Sequence, residues 1–150
     1  NPDYWGPHLW QFLHMIAENY PEKAEESDKN KYRQFYDSLA QVLPCSHCRE
    51  SFGIFMNQFP PEPYLHSRQH LAFWTYEIHN IVNMKLSRQH GKKIVSPPFE
   101  KVRKTYEKYR GKNPAKDLRN GTPGSEATRA TRQGAMAKRR KRTPFVHHKT

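Results

Sequence analysis

Cysteine is nearly absent from this sequence: 150 residues contain two. That excludes a small disulfide-stapled scaffold. Long apolar runs are missing as well. None approaches the roughly 18 residues of a membrane span, and no signal-peptide pattern opens the chain. Hydrophobic residues amount to 35%, below the globular norm. Acidic side chains are scarce in one place only. Residues 111–150 hold 2 Asp and Glu against 11 Lys and Arg, whereas residues 1–110 hold 12 against 15. The overall charge of +12 suggests on its own a nucleic-acid protein. Yet +9 of it belongs to residues 111–150 and only +3 to the rest.

Aromatic rings are what the chain has in plenty, with 8 Phe, 8 Tyr and 3 Trp. Every Trp and Tyr lies in residues 1–110, and the length suits one domain with an extension. Residues 111–150 keep a single aromatic, Phe145, among Gly111, Asn113-Pro114, Asn120-Gly121 and Pro123-Gly124. Such a segment buries too little apolar surface to offset its ordering entropy, and it reads as a flexible basic tail. Its run Lys138-Arg139-Arg140-Lys141-Arg142 suits a nuclear-import signal or a nucleic-acid contact, and equally a solubilising extension.

The first 110 residues read as all-α. Pro7 suits a first helical turn, and Leu9, Trp10, Leu13, Ala17 and Tyr20 follow at three- and four-residue steps until Pro21. After an acidic linker from Glu22 to Asp28, a second stripe runs from Tyr32 through Phe35, Tyr36 and Leu39 to Leu43, ending at Pro44. Cys45 and Ser46 open a third helix, which Pro60-Pro61 close. Ser67 is an N-cap for a longer fourth, carrying Leu71, Trp74, Ile78, Val82 and Leu86, and Gly91 breaks it. Pro97-Pro98 introduce a short fifth with Phe99, Val102, Tyr106 and Tyr109. Only Lys93-Ile94-Val95 fits a strand period. Short proline-marked links between amphipathic helices predict an antiparallel four-helix bundle with a short fifth helix.

Chemistry-bearing residues cluster in three places. Cys45-Ser46-His47-Cys48 sets two thiols in the first turn of a helix. There the helix N-terminus, with His47 and Arg49 close by, favours thiolate and hence disulfide exchange. The same pair is half of a metal site if His66 and His70 join it, as Cys45-x2-Cys48-x17-His66-x3-His70. That gap exceeds the zinc-finger spacing. Two simply buried thiols are the third reading. A thioredoxin-like role needs a βαβ context that the pattern lacks, so a redox pair here calls for an organic acceptor such as a flavin. On the fourth helix, His79, Asn83 and Leu86 share a face, suited to an aromatic heterocycle or simply to solvent. On the first, Trp10 and His14 are stacked one turn apart, which equally describes core packing.

In this order and spacing the pieces resemble the Erv/ALR-type FAD-linked sulfhydryl oxidases, above all the short single-domain forms of large cytoplasmic DNA viruses. The matching stretches are Trp5-Gly6-Pro7-x2-Trp10-x2-Leu13-His14-x2-Ala17, Tyr20-Pro21, Pro44-Cys45-x2-Cys48 and Trp74-x4-His79-Asn80-x-Val82-Asn83-x2-Leu86. They span about residues 4–110. The resemblance implies FAD held at one end of the bundle and a thiol oxidase that passes electrons from a substrate dithiol to FAD and then O₂, giving hydrogen peroxide. It implies that Cys48 is the flavin-side thiol and Cys45 the outer thiol that meets substrate. Gly6, Pro7, Trp10, His14, Trp74, His79, Asn80, Asn83, Lys85, Leu86 and Tyr106 are its expected cofactor-lining residues, with no metal. The chain holds no further cysteine. A thiol protein or small thiol relay acting in trans is therefore expected, together with a homodimer. The viral likeness places the expected site of action in host cytoplasm, at virus assembly sites or in virions, with nuclear import by the tail as the alternative.

Overall fold

The structure is a computed structural model and describes residues 1–120. Six helices account for most of them: α1 (Pro2–Glu18), α2 (Glu26–Val42), α3 (Ser46–Gln58), α4 (Arg68–His90), α5 (Phe99–Glu107) and α6 (Pro114–Asn120). A single 3-10 turn, Glu62–Tyr64, lies between α3 and α4. No strand occurs among the described residues, so Lys93-Ile94-Val95 is loop rather than strand. Contacts divide the chain into a body, Asn1–Ala115, and a second unit beginning at Lys116. Of that second unit only the end of α6 is described. The segment read from sequence as a flexible tail thus opens with a short helix, with Pro114 as its first residue and Asp117 in its first turn. The basic run 138–142 lies outside the described residues.

Helix ends follow their capping chemistry. Asn1 caps α1 by accepting the Asp3 N–H at 2.9 Å, and Pro2 fills the first turn. α1 therefore starts five residues before Pro7, which sits inside the helix instead of opening it. α2 likewise begins inside the acidic linker. Glu25 and Asp28 form a reciprocal capping box there, and acidic side chains suit a helix N-terminus. α4 behaves as its sequence dictates. Ser67 Oγ accepts the His70 N–H at 3.3 Å, and Gly91 ends the helix at φ 63°, in the left-handed region that favours glycine.

α1 packs on α4 and α5, α2 on α3, and α4 also on α3 and α5. The shared core takes Leu13 and Ala17 from α1, Tyr36 and Leu39 from α2, Phe52 and Met56 from α3, and Leu71, Trp74 and Ile78 from α4. Trp74 is the largest of the fully buried side chains, edge-on to Tyr36 at 4.7 Å, and its Nε1 donates to the Phe59 carbonyl at 3.0 Å. The two inter-helix corners are tied together. Tyr20 donates its hydroxyl to the Leu65 carbonyl at 2.6 Å, and Arg68 Nε donates to the Tyr20 carbonyl at 2.7 Å.

α5 is attached differently, for none of its residues is buried. Glu18, at the end of α1 and 2% exposed, accepts from Arg103 Nε at 2.8 Å and from Arg110 Nη2. Arg110 Nε also donates to the Glu18 carbonyl at 3.1 Å. Burial alone would raise the Glu18 carboxyl, but the two guanidiniums outweigh it and hold the group below the ordinary carboxylate range.

Candidate functional site

The two cysteines meet at the entrance to α3. Cys45 is its N-cap, and Cys45 and Cys48 are joined in a disulfide with Cα atoms 5.1 Å apart. The Cys48 N–H donates to Cys45 Sγ at 3.2 Å, so one sulfur of the pair already takes up a helix-terminal donor. Arg49, on the same first turn, donates to the Leu43 carbonyl at 2.6 Å. His66 and His70 do not join the cysteines. Their rings contact each other at 3.9 Å, and they hydrogen-bond Pro63 and Ser67. No group of three or more His, Cys, Asp or Glu able to hold a metal exists among the described residues. The zinc reading of the sequence is thereby lost.

Cys48 lies on the wall of a cavity of about 530 Å³ between α1, α3 and α4. Gly6, Pro7, Trp10, His79, Asn83, Lys85, Leu86 and Tyr106 line it, all singled out from sequence. A second cavity of about 270 Å³ shares His79, Asn83 and Tyr106 with the first and adds His14 and Asn80. The two adjoin across these shared side chains and are together called the cleft. The larger has the size and apolar character that small-molecule cofactors occupy. A methyl group built on Gly6 meets no protein atom within 4 Å, so open space, not packing, surrounds this glycine.

A stack of rings floors the cleft. Trp10 lies flat on His79 at 4.1 Å and 7°, and His14 flat on Tyr106 at 4.8 Å and 10°. The two pairs are joined by a hydrogen bond of 3.1 Å between His14 Nε2 and His79 Nδ1. Burial pushes His79 down to about 4. It does the same to His14, reinforced by the neighbouring His79 and only partly opposed by Glu18. Both imidazoles are neutral at pH 7 and serve as flat, hydrogen-bonding surfaces. Charge comes from elsewhere: Lys85, whose ammonium donates to Ser51 Oγ, and Lys101 in the smaller cavity.

One expected cofactor-lining residue does not reach the cleft. Trp74 lines neither cavity and is 1% exposed in the core. Five residues before His79, it points about 140° away around α4. Several residues that the pattern did not single out do line the cleft. Ser51 and Phe55 lie on α3, Tyr76 on α4, and Ser96 and Pro97 on the link to α5. Asn83 Nδ2 donates to Ser96 Oγ at 3.3 Å, and the Tyr76 hydroxyl to the Pro97 carbonyl at 2.9 Å, which draws that link over the cleft. The i+3 and i+7 positions after Cys48 were the available signal for Ser51 and Phe55.

Residues 7–107 match the model of the Erv1 / Alr family. The chain is 38% identical over 108 residues to a probable FAD-linked sulfhydryl oxidase, R368, of Acanthamoeba polyphaga mimivirus, covering 70% of this chain and 73% of that protein. It is 32% identical over 83 residues to the mitochondrial FAD-linked sulfhydryl oxidase erv1 of Schizosaccharomyces pombe, covering 55% of this chain and 46% of the relative. The chain therefore spans less than half the length of that yeast protein. Its fold is similar to the crystal structure of the FAD binding domain of Erv1 from Saccharomyces cerevisiae. The TM-score is 0.62 at 26% identity, over 74% of this chain and 98% of that one. With its disulfide and helices α2 to α5 falling inside the matched stretch, the chain belongs to the Erv1 / Alr family.

Proposed function

We propose that the chain is an FAD-dependent thiol oxidase that introduces disulfides into substrate proteins through Cys45 and Cys48. One observation carries the reading: a disulfide with one sulfur on the wall of an aromatic cleft of cofactor size. The donor set fits FAD. Neutral His79 on Trp10 offers a flat face and ring nitrogens to a heterocycle, Asn80 and Asn83 offer amide donors and acceptors, and Lys85 and Lys101 supply cations for a diphosphate. Bound there, FAD supplies the two-electron acceptor that a reduced cysteine pair needs, passing the electrons on to O₂ as hydrogen peroxide.

The chain's own part is the exchange. A substrate thiolate attacks Cys45 Sγ, forming a mixed disulfide and releasing Cys48 as thiolate. The second substrate thiol then attacks the substrate sulfur of that mixed disulfide, leaving an oxidised substrate and a Cys45/Cys48 dithiol. Release of Cys45 is eased because its sulfur accepts the Cys48 N–H at the positive end of α3. Cys48, set in the cleft wall, is the cysteine that would face a cofactor held there. Cys45 and Cys48 are the only cysteines in these 150 residues, and a thiol protein acting in trans is the proposed electron donor to Cys45.

Purified protein carrying a bound flavin spectrum, with dithiothreitol-dependent oxygen consumption lost in both Cys45→Ser and Cys48→Ser, is the expected result. A colourless protein that stays colourless with added FAD would overturn the reading.

A further inference from the structure

The cleft has one wall that the core does not hold. α5 contributes Val102, Thr105 and Tyr106 to the cofactor cleft, yet buries none of its residues. Phe99 seats the start of α5 on Phe73 and Tyr76 of α4. Toward α1 the polar contacts of this segment converge on one carboxylate, Glu18, which lies one turn beyond His14 on the same face of α1. Arg103, one turn before Tyr106 on α5, donates to both oxygens of that carboxylate. Arg110, beyond the end of α5, donates to its side chain and to its backbone carbonyl. Gly111 N–H continues the seam by donating to Asn19 Oδ1 at 2.7 Å.

Glu100 and Glu107 act on Arg103 through space, but Glu18 is the acid that hydrogen-bonds both Arg103 and Arg110. Arg68, Arg103 and Arg110 all act on this corner, and the negative end of the α1 dipole falls here too. Glu22 answers Arg68 at 3.1 Å, at the exposed edge. Glu18 is the buried acid that the other two guanidiniums share, and buried charge-assisted bonds of this kind fix geometry as well as contribute energy.

We infer that Glu18 is a positioning residue for the cofactor cleft: through Arg103 and Arg110 it sets Tyr106 flat against His14, and so holds the α5 wall in place for FAD. The inference rests on the thiol-oxidase reading only for the identity of the ligand. The positioning itself is a property of the protein alone. Glu18→Gln keeps the size of the side chain and removes the charge that both arginines need.

Two measurements on the full chain test it. In the cofactor-free protein, the ring protons of His14 in an NMR spectrum are shifted by the Tyr106 face. In Glu18→Gln they should move to where Tyr106→Ala puts them, while the signals of the Trp10–His79 stack stay in place. Titration with FAD should show binding about tenfold weaker in Glu18→Gln, the loss expected for one charge-assisted contact. Arg110→Gln, at a partly exposed side chain, should give the same pattern at about threefold. An unmoved His14 signal in Glu18→Gln, or a Trp10–His79 stack lost together with it in both variants, would overturn the positioning role. Failure of the wild-type chain to bind FAD would instead count against the proposed function, and the His14 signal would still decide the role of Glu18.

Discussion

The two walls of the cleft are built on opposite principles. The α1/α4 wall grows out of the core: Leu13 and Ala17 on one helix and Leu71, Trp74 and Ile78 on the other are buried immediately beneath Trp10, His14 and His79. Apolar packing at interior density leaves those helices few alternative positions. The α5 wall buries none of its own residues. It rests on half-exposed ring contacts, Phe99 against Phe73 and Tyr76 and Tyr106 on His14, and on directional polar contacts, two guanidiniums on Glu18 and the Tyr76 hydroxyl on Pro97. Core burial gives rigidity that tolerates changes of charge. A polar tether gives a wall that is well placed but responsive to single substitutions.

Four experiments break or sharpen this contrast. The largest effect belongs to the reagents, which neither wall can replace: Cys48→Ser should bring oxygen consumption down to the uncatalysed background. Next comes the foundation of the rigid wall. Trp74→Ala empties the core under α4 and should lower stability by about 3–5 kcal/mol in denaturant unfolding. Only after that loss is offset, for instance at low temperature, should the redox site be found intact.

The third experiment is a pH titration of stability. His14 and His79 stay neutral in the folded chain down to about 4, whereas an unfolded imidazole protonates near its ordinary value of 6.5. Their folded values are depressed, so the stability they contribute is fully present above pH 6.5 and is lost as pH falls from 6.5 to 4. The loss is on the order of 3 kcal/mol for the first ring to be charged. Denaturant midpoints flat across that window would show that the floor of the cleft is wet. Glu18, whose carboxyl is also depressed, adds a loss at still lower pH in the same direction.

The smallest effect is at Gly6, inside α1 and facing the cleft. Gly6→Ala should stabilise the cofactor-free protein by about 0.5–1 kcal/mol, because glycine is a poor helix former and the added methyl meets nothing. FAD affinity should fall in the same variant. A gain in both would place the cofactor away from α1.

What the sequence makes legible divides along the same line. The Ser67 and Gly91 ends of α4, the cysteine pair on α3 and the His79/Asn83/Leu86 face are local patterns, with cause and effect within a turn or two. Trp74 lines neither cavity although the motif joins it to His79, because a helix turns a residue five positions away to the far side. Glu18 was invisible for another reason. It reads as an ordinary acid at a helix end, and its partners lie 85 and 92 residues along the chain. The early start of α1 was signalled by Asn1-Pro2, but Pro7 was the more conspicuous proline. Pairing across such distances leaves no period to count.

Cys45 has a double duty whose consequence is practical. The sulfur that meets substrate is also the cap of α3. Serine is a strong cap in its own right, so Cys45→Ser silences the reagent and leaves the helix seated. Cys48→Ser does something different. It leaves Cys45 a thiolate that can attack the disulfide of an oxidised partner, forming a mixed disulfide as the partner's other sulfur leaves, with no neighbour in the chain to release it. A chain so altered becomes a snare: its natural partner, once bonded, stays attached and can be identified by mass.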